Sequence, residues 1–358
     1  MLRDHLLEIA LDHGCVGFGV TSTDPFDGLA ATMNERKAAG VSANLAFTYR
    51  DPTIAADVRR TFPWAERLVA VAFAYEPEAG TSVPEPGTLR IARFADGDHY
   101  LGLRAALAVL VAELESSGAR AHALTDDSRL VDRAVAQRAG IGWWGRSTMV
   151  LVPGAGPWVL LGSVATDAPL DVDEPMVRTC GSCTACIPAC PTGAILDDGV
   201  LDVRRCLAHH LQSPGLIPEE LRAAVGDRLY GCDDCLTSCP PGNRALEAAG
   251  PVPGPEILDI LGATDADLLE RYGHFYLPAR RPRILRRNAL VAAGNDRSPE
   301  LESVIIGYLG HPDWLLRAHA AWAVGQLGTE LGRAALDVAL SEEGDGRVRR
   351  ELLGAGQL

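Results

Sequence analysis

The sequence predicts a mixed α/β region, then a cysteine-rich region, then an all-α repeat region. Three observations predict this order. Strand-like and helix-like patterns alternate over residues 1–172, eight of the nine cysteines fall within residues 173–249, and three similar helical segments recur within residues 256–358. A chain of 358 residues is too long for one ordinary core, so two or three domains are expected.

The first region contains patterns of both kinds. RLVAVAFAY (67–75) is rich in Val and aromatic residues and predicts a buried strand. In residues 101–118 apolar positions recur at intervals of three and four, which predicts a helix that stops at Gly118. Residues 148–165 predict two strands joined at a cluster of Pro and Gly. The expected fold class of residues 1–172 is therefore α/β, in the broad sense that includes α+β.

Composition restricts the environment and the partners. The first fourteen residues carry charges throughout, which a signal peptide would not, and the longest uncharged run (147–166) is broken by Pro and Gly. We expect a cytoplasmic protein that has no membrane partner, in which nine cysteines indicate metal rather than disulfides. A net charge of −14 argues against nucleic acid, but residues 277–290 contain five arginines and no acid. A solvated helix face is the alternative interpretation of that stretch.

The cysteines follow an iron–sulfur pattern. Cys180, Cys183, Cys186 and Cys190 are spaced C-x2-C-x2-C-x3-C before a proline, which is the bacterial ferredoxin run. In that arrangement the fourth thiolate ligates a second cluster. GCDDCLTSCPPGN (231–243) supplies three more cysteines, and Cys206 is the remaining nearby thiol. Zinc is the alternative, but zinc sites favour two separated pairs of ligands.

The ligand count closes at two [4Fe–4S] clusters. The first cluster is predicted to take Cys180, Cys183, Cys186 and Cys239, and the second Cys190, Cys206, Cys232 and Cys235. Cys15 is distant in sequence and is interpreted as a small core residue. Because their ligands are crossed, we expect the two clusters to lie close together and to pass electrons in series from a low-potential donor to the α/β region.

The C-terminal region repeats. Similar segments begin at Leu285, Leu316 and Val348, spaced thirty-one and then thirty-two residues apart. Near-even spacing of helical segments indicates stacked helix pairs, as in HEAT-type solenoids, which usually present a binding surface. A purely structural cap is the alternative. GPVPGPE (250–256) predicts a linker before the repeats.

The cofactor of the α/β region does not follow from motifs. GIGWWG (140–145) fits G-x-G-x-x-G but follows a helix-like segment, which gives little support to a dinucleotide site. No D-x-H-x-x-G stretch, the usual signal of a histidine that ligates cobalamin, is present.

Several stretches resemble the epoxyqueuosine reductase family. They are LTDDSRLVDRAVAQRAGIGWWGRSTMVLV followed by WVLLGSVATD, the double cysteine run containing YGCDDC, and RNALVAAGN in the first repeat. The resemblance covers nearly the whole chain. It implies a cobalamin domain, a ferredoxin-like domain with two [4Fe–4S] clusters and a HEAT-like domain that contacts tRNA. It further implies that epoxyqueuosine at the wobble position of tRNA is reduced to queuosine, with a cobalamin that has no protein axial ligand.

The resemblance also implies site residues. The family's proton-donating aspartate opens a D-S-x-P-x-x-E-K/R-A motif, and counting back from Arg133 and Ala134 places it at Asp126, with Asp127 as the neighbouring candidate. A turn or helix N-cap is the structural alternative for either. The implied cobalamin contacts are Asp126, Asp98, Val150, Leu151, Val152 and Ala208. The implied tRNA contacts are Arg280, Arg281, Arg283, Arg286, Arg287, Arg317 and His319.

The sequence departs from the family mainly near the substrate pocket. Arg129 stands where the family has Pro, Arg146 where it has Lys, and FADGDHY (94–100) is a shortened, reordered motif. These changes leave two other functions open: reduction of a small molecule with the same cofactors, or a non-catalytic electron-transfer adaptor. A monomer is expected.

Overall fold

A computed structural model describes residues 2–75, 85–196, 199–246 and 254–356. The chain divides into two compact units. Unit 1 consists of Met1–Glu78, Gly97–Arg204 and Asp234–Ala248, and unit 2 of Ala79–Asp96, Arg205–Asp233 and Ala249–Leu358. The cysteine-rich region contributes to both units, so the units do not coincide with residues 1–172, 173–249 and 256–358. The division into three functional domains stays a prediction, and residues 250–253 of the predicted linker lie outside the described residues.

Helices and strands are numbered along the chain through both units. The helices of unit 1 are α1 (Leu2–Asp12), α2 (Leu29–Ala38), α3 (Pro52–Ala55), α4 (His99–Ser116), α5 (Asp132–Arg138), α6 (Cys186–Ala189), α9 (Asp234–Thr237) and α10 (Pro240–Leu246). Its strands are β1 (Cys15–Ser22), β2 (Arg67–Ala74), β4 (Ala121–Thr125), β5 (Trp143–Trp144), β6 (Val150–Leu151) and β7 (Val159–Thr166).

The remaining elements belong to unit 2. Its helices are α7 (Leu207–Gln212), α8 (Glu219–Val225), α11 (Ile257–Gly262), α12 (Asp265–Tyr272), α13 (Arg283–Asp296), α14 (Glu302–Gly307), α15 (Trp314–Leu327), α16 (Glu330–Glu342) and α17 (Gly346–Ala355). Strands β3 (Arg90–Ile91) and β8 (Arg228–Tyr230) form a short parallel pair. None of the helices in the described ranges is long and apolar enough to cross a bilayer.

Unit 1 is built on an antiparallel sheet of four strands in the order β1-β2-β7-β4. The predicted strand over 67–75 is β2, and the predicted helix over 101–118 is α4. The two strands predicted over 148–165 are β6 and β7, but they belong to different sheets: β7 joins the main sheet, whereas β6 pairs with β5. Strands β5 and β6 form a β-hairpin that follows α5 in the sequence.

Strand β2 is buried on both sides because helices cover both faces of the main sheet. Leu68, Ala70 and Ala72 point to a core shared with Val135 and Ala136 of α5. On the other face, Gly162 of β7 opposes Val71, and a side chain at 162 would meet the leucines of α4. The loop from β4 to α5 therefore begins at one edge of the sheet and ends on its α5 face.

In unit 2, the predicted repeat takes the form of three long helices that pack in sequence. α13 packs against α15, and α15 packs against α17. The equivalent residues Ala292, Ala323 and Ala355 are all buried at these contacts. Close approach is required there, since a Cβ on Gly325 would lie 2.9 Å from the Cβ of Ala355.

The arginine that repeats with the same spacing has a structural role in each repeat. Arg286 donates to the carbonyl of Ala263 at the end of α11 (2.7 Å) and pairs with Asp265. Arg317 donates to the carbonyl of His311 (2.8 Å) and pairs with Glu343.

In the last repeat, Arg349 donates to the carbonyls of Leu340 (2.9 Å) and Glu343 (3.1 Å) at the end of α16. Each repeat therefore uses an arginine to satisfy carbonyls that a helix or helical turn leaves unpaired at its end.

A buried polar pair joins α13 to the segment that contains Cys206 and Cys232. The Asn288 amide donates to the carbonyls of Leu211 (2.9 Å) and Leu229 (2.7 Å), and its Oδ1 accepts from Arg287 (2.9 Å).

Arg287 itself donates to the carbonyls of His210, Ser213 and Gly215, each at 2.7 Å. Burial lowers the pKa of Arg287 to about 9, so the guanidinium stays charged at neutral pH. Because these carbonyls are buried away from water, they depend on Asn288 and Arg287 for their hydrogen bonds.

Replacing Asn288 with Leu should destabilise unit 2. The carbonyls of Leu211 and Leu229 would lose their donor, at a cost of about 2–5 kcal/mol. Chemical denaturation followed by circular dichroism measures the loss. Asn34→Leu, the same change at an exposed position of α2, should alter stability by less than about 0.5 kcal/mol. Equal effects of the two substitutions would contradict the assigned role of Asn288.

Candidate functional site

The four cysteines of the ferredoxin run lie in and around the short helix α6. Cys180 and Cys183 lie in the turn before it, Cys186 is its first residue, and Cys190 follows its end. A backbone hydrogen bond from Cys183 N–H to the carbonyl of Cys180 (3.1 Å) closes the turn. All nine cysteines of the chain are free thiols rather than disulfides.

Four of these thiols form one electrostatic group in unit 1. Burial raises the pKa of Cys239, and negative charges on Cys180, Cys183 and Cys186 raise it further. Burial also raises the pKa of Cys186, as do charges on Cys180 and Cys183, whereas Arg146 opposes the shift. A shared cation or cluster would relieve repulsion of this kind between thiolates. This is the set predicted for the first cluster.

Cys190 has a different environment. Burial would raise the pKa of its thiol, but the backbone N–H groups of Thr192, Ala194 and Ile195 outweigh burial and lower it. The N–H of Ala194 lies 3.2 Å from the sulfur. A thiolate stabilised by backbone donors is suited to ligate a metal cluster, and such hydrogen bonds tune its potential.

A buried tryptophan anchors the segment that contains Cys235 and Cys239. Trp158, at the start of β7, donates from its indole Nε1 to the carbonyl of Gly242 (2.9 Å). A Cβ on Gly242 would lie 2.3 Å from the carbonyl oxygen of Leu236, so only glycine fits there.

The other cysteines are placed as follows. Cys235 lies in α9 of unit 1, whereas Cys206 precedes α7 and Cys232 follows β8 in unit 2. The ligand set of the second cluster therefore stays a prediction. Cys15 is buried in β1, where burial raises the pKa of its thiol to about 11, in keeping with a core residue.

Asp126 lies in the loop from β4 to α5. Its φ of 50° is in the left-handed region, which Asp enters more readily than most other residues with a side chain. Burial raises the pKa of Asp126, and the charge on Asp127 raises it further, while Arg104 opposes both. A partly desolvated carboxyl with a raised pKa is a typical catalytic acid.

The neighbouring Asp127 is held in the ionised state. Its carboxylate accepts from Arg129 Nε (2.8 Å) and Nη2 (2.6 Å). This side-chain pairing lowers the pKa of Asp127. An ionised, paired carboxylate is a poor proton donor, which favours Asp126 of the two candidates.

Two further groups of the acid cluster were missed by the sequence analysis. Asp132 begins α5, and burial and the charge on Asp126 raise its pKa to about 8. Burial and both of these aspartates also raise the pKa of Tyr100 on α4. The signal for Asp132 was present, because it stands where the family motif has Glu.

The residues implied as cobalamin contacts are distributed over both units. Val150, Leu151 and Val152 have buried side chains, and Val150 and Val152 belong to the core beneath α5. Their side chains pack inward, so their main chain is the part available for contact. Asp98 is the exposed residue before α4, and Ala208 is half-buried in α7 of unit 2.

Unit 1 also contains buried polar atoms that lack a hydrogen-bond partner among the described residues. They include Thr125 Oγ1, next to Asp126, and Trp143 Nε1, on the strand that pairs with β6. Unpaired buried donors and acceptors are rare in folded proteins. These two atoms fit a site that a bound group with polar substituents would complete.

Two of the predicted tRNA contacts are wrong. Arg287 is 1% exposed and its guanidinium is engaged with carbonyls inside unit 2. His319 is fully buried: its Nε2 accepts from Ile217 N–H (3.2 Å), and burial holds its pKa well below the usual value. A neutral, enclosed imidazole cannot reach a phosphate. The α-helical period of α13 and α15 turns both residues inward.

The other predicted contacts differ in accessibility. Arg280 and Arg281 are exposed. Arg283 pairs with Asp313 (3.1 Å), whereas Arg286 and Arg317 have the structural pairings described above. A cavity of about 480 Å³ beside them is lined by Arg281, Arg283, Arg286, Asp265, Asp313 and His311, among others. Three arginines face two aspartates there, so the charge of this lining is positive.

Family models match two parts of the chain. A 4Fe-4S double cluster binding domain matches residues 179–242, and HEAT repeats match residues 278–355. The predictions of two [4Fe–4S] clusters and of helical repeats are thereby confirmed, together with the mixed α/β character of the N-terminal part.

Known proteins are similar over the full length. The chain is 31% identical to the epoxyqueuosine reductase of Bacillus subtilis (strain 168), over 98% of this chain and 94% of that protein. It is 32% identical to the epoxyqueuosine reductase of Bacillus anthracis, over 98% and 96%.

Its structure is similar to that of an epoxyqueuosine reductase solved with a tRNA-Tyr epoxyqueuosine-modified stem loop. The TM-score is 0.92 at 30% identity, over 99% of this chain and 98% of that chain. Sequence, cysteine pattern and fold agree over the whole length, and the chain belongs to the epoxyqueuosine reductase family.

Proposed function

We propose that this chain reduces epoxyqueuosine in tRNA to queuosine, with electrons that pass through its two [4Fe–4S] clusters. The observation that carries the proposal is the full-length likeness to epoxyqueuosine reductases, one of them solved with its modified stem loop. An acid at Asp126 whose pKa is raised by partial desolvation and a grouped set of thiols in unit 1 support it. The reaction takes two electrons and two protons, removes the epoxide oxygen as water and leaves a carbon–carbon double bond.

Cobalamin is the proposed second cofactor. When bound, it would supply a strongly reducing cobalt centre for the electron transfer to the epoxide carbon. The main chain of Val150, Leu151 and Val152 would line it, with Asp98 and Ala208 as further contacts. Thr125 and Trp143 offer unpaired polar atoms in unit 1.

Asp126 is the proposed donor of the proton to the epoxide oxygen. Its partly desolvated carboxyl favours the protonated form. Asp127 stays ionised because it forms an ion pair with Arg129. This pair holds the part of the loop that follows Asp126. The Arg129 that replaces the family's Pro thus secures the loop by an ion pair.

Asp126→Asn should abolish turnover while both metal centres remain. An amide of the same shape cannot donate a proton, and loss of a general acid costs about 10²–10⁴-fold in rate. The assay is anaerobic: reconstituted protein, a chemical reductant and tRNA bearing epoxyqueuosine, with the modified base followed by mass spectrometry.

The wild type serves as the positive control in that assay. A wild type that takes up iron and cobalamin but leaves the tRNA unchanged would favour a small-molecule substrate. A protein that does not bind cobalamin would favour the hypothesis of a non-catalytic electron-transfer adaptor. Retained turnover in Asp126→Asn would show that another group donates the proton.

The proposed ligands of the first cluster are Cys180, Cys183, Cys186 and Cys239. Cys239→Ala removes the most distant of them in sequence and should reduce the iron content from about eight to about four per chain. Cys15→Ala is the matched control, since Cys15 is buried in β1 and should leave the iron content unchanged. Iron and sulfide analysis after anaerobic purification would measure both; full iron content in Cys239→Ala would reject the assignment.

Arg280 and Arg281 are the proposed phosphate contacts of the helical repeat, because they are exposed and lie at the positive end of α13. Arg283, Arg286 and Arg317 stay secondary candidates, since each already has an acidic partner. Phosphate contacts position a stem without reading its sequence.

The double change Arg280→Gln and Arg281→Gln should weaken stem-loop binding and make its salt dependence shallower by about 1.5 in the slope of log K against log salt. Arg36→Gln with Lys37→Gln is the control, since it removes the same charge from α2, where Arg36 is half-buried and Lys37 is exposed. Fluorescence anisotropy over a range of salt concentrations measures the slope. An unchanged slope in the Arg280→Gln, Arg281→Gln variant would show that other residues contact the tRNA phosphates.

A further inference from the structure

We propose that Arg146 is a positioning residue of the first cluster, which holds the turn between Cys180 and Cys183 and places a permanent positive charge beside it. The inference rests on the ligand set proposed above for that cluster and does not depend on the identity of the substrate. Arg146 departs from the family, which has Lys at this position, and the proposed reaction gives it no role.

Arg146 lies in the turn that joins β5 to β6. The N–H of Gly145 donates to the carbonyl of Met149 (2.8 Å), and the N–H of Thr148 donates to the carbonyl of Gly145 (2.9 Å), so the turn is closed by its own main chain. A neighbouring segment packs closely against it, because a Cβ on Gly199 would lie 3.3 Å from the Cα of Arg146. The side chain of Arg146 therefore extends from a fixed main chain.

The guanidinium of Arg146 contacts the turn that carries the first two cysteines. Its Nη2 donates to the carbonyl of Gly181 (3.2 Å), and the N–H of Gly181 donates to Oγ1 of Thr179 (3.2 Å). Both main-chain polar groups of Gly181 are thus bound by side chains. The φ of Gly181 is 56°, in the left-handed region that glycine adopts readily. Because Gly181 directly follows Cys180, these bonds set the direction in which the chain leaves that cysteine.

A second contact joins the same hairpin to the cysteine segment. The guanidinium of Arg178 lies over the ring of Trp143, 4.3 Å from its centroid, and Trp143 belongs to β5. The hairpin of β5 and β6 therefore contacts the segment both before and after Cys180. Loss of the Arg146 contact alone leaves the segment attached at Trp143, so a substitution at 146 should spare the assembly of the cluster.

The charge of Arg146 should raise the reduction potential of the first cluster. A guanidinium stays protonated at any physiological pH, and this one is hydrogen-bonded to the residue next to Cys180. A [4Fe–4S] cluster gains one unit of negative charge when it accepts an electron from a low-potential donor, so a nearby cation favours its reduced form. The contact with Gly181 is exposed, and salt screens exposed charges. We therefore expect a moderate effect on the reduction equilibrium constant, about fivefold.

Potentiometric titration of the anaerobically reconstituted full chain, followed by electron paramagnetic resonance, tests the role of Arg146 without a substrate. In Arg146→Gln one of the two cluster midpoints should become more negative by about 40 mV, which is a fivefold change for one electron, and the other should stay. The iron content should remain about eight per chain. Arg36→Gln is the matched control, since it removes a half-buried arginine from α2 and should move neither midpoint.

Arg146→Lys is the second variant, because lysine keeps the charge but lacks the planar fork of arginine. Its iron content should equal that of the wild type, and both reduction equilibrium constants should stay within about twofold. Unchanged midpoints in Arg146→Gln would overturn the proposal. A shift in Arg146→Lys as large as that in Arg146→Gln would also overturn it. If Arg146→Gln loses iron, the lysine variant still decides: full iron content with unmoved midpoints supports the role of the charge, and a moved midpoint refutes it.

These measurements separate the inference from the proposed function. If the midpoint shifts as expected but the wild type leaves the epoxyqueuosine of the tRNA unchanged, the proposed function is contradicted and the role of Arg146 stands. If the wild type reduces the modified base and Arg146→Gln keeps both midpoints of the wild type, the function stands and the role of Arg146 alone is rejected.

Discussion

Buried side-chain donors that reach main-chain carbonyls hold the cysteine segments to their scaffolds. In unit 1, the indole of Trp158 binds the carbonyl of Gly242 and fixes the segment that contains Cys239 against the sheet. In unit 2, Asn288 and Arg287 bind the carbonyls around α7 and β8. Segments with little regular structure cannot satisfy their own carbonyls, so the scaffold must do so. The positions of the cluster ligands depend on these bonds.

The acid cluster illustrates how environment separates chemically identical groups. Asp126 and Asp127 are adjacent in sequence, yet burial raises the pKa of one and an ion pair with Arg129 lowers the pKa of the other. At Asp132, the first residue of α5, desolvation and the charge on Asp126 raise the pKa to about 8, while Arg133 opposes the shift.

The arginines of the repeat region are divided between structure and surface. Arg286, Arg317 and Arg349 recur because each repeat ends a helix or helical turn whose carbonyls need a donor. Arg287, one residue on, is turned into the core and binds carbonyls there. The sequence stretch looked uniformly basic, but a helix of 3.6 residues per turn distributes neighbouring side chains around its axis. Within residues 277–290, the exposed arginines are therefore Arg280 and Arg281.

The sequence by itself determined the iron–sulfur chemistry, the strand β2, the helix α4 and the helical repeat, because spacing and periodicity are local properties of the chain. It also indicated Asp126 through a motif. Only the tertiary structure decided which thiols of unit 1 repel one another, that Asp127 is paired, that the pKa of Asp132 is raised, and that Arg287 and His319 face inward. Burial and electrostatic neighbours arise from residues far apart in sequence, so no local pattern encodes them.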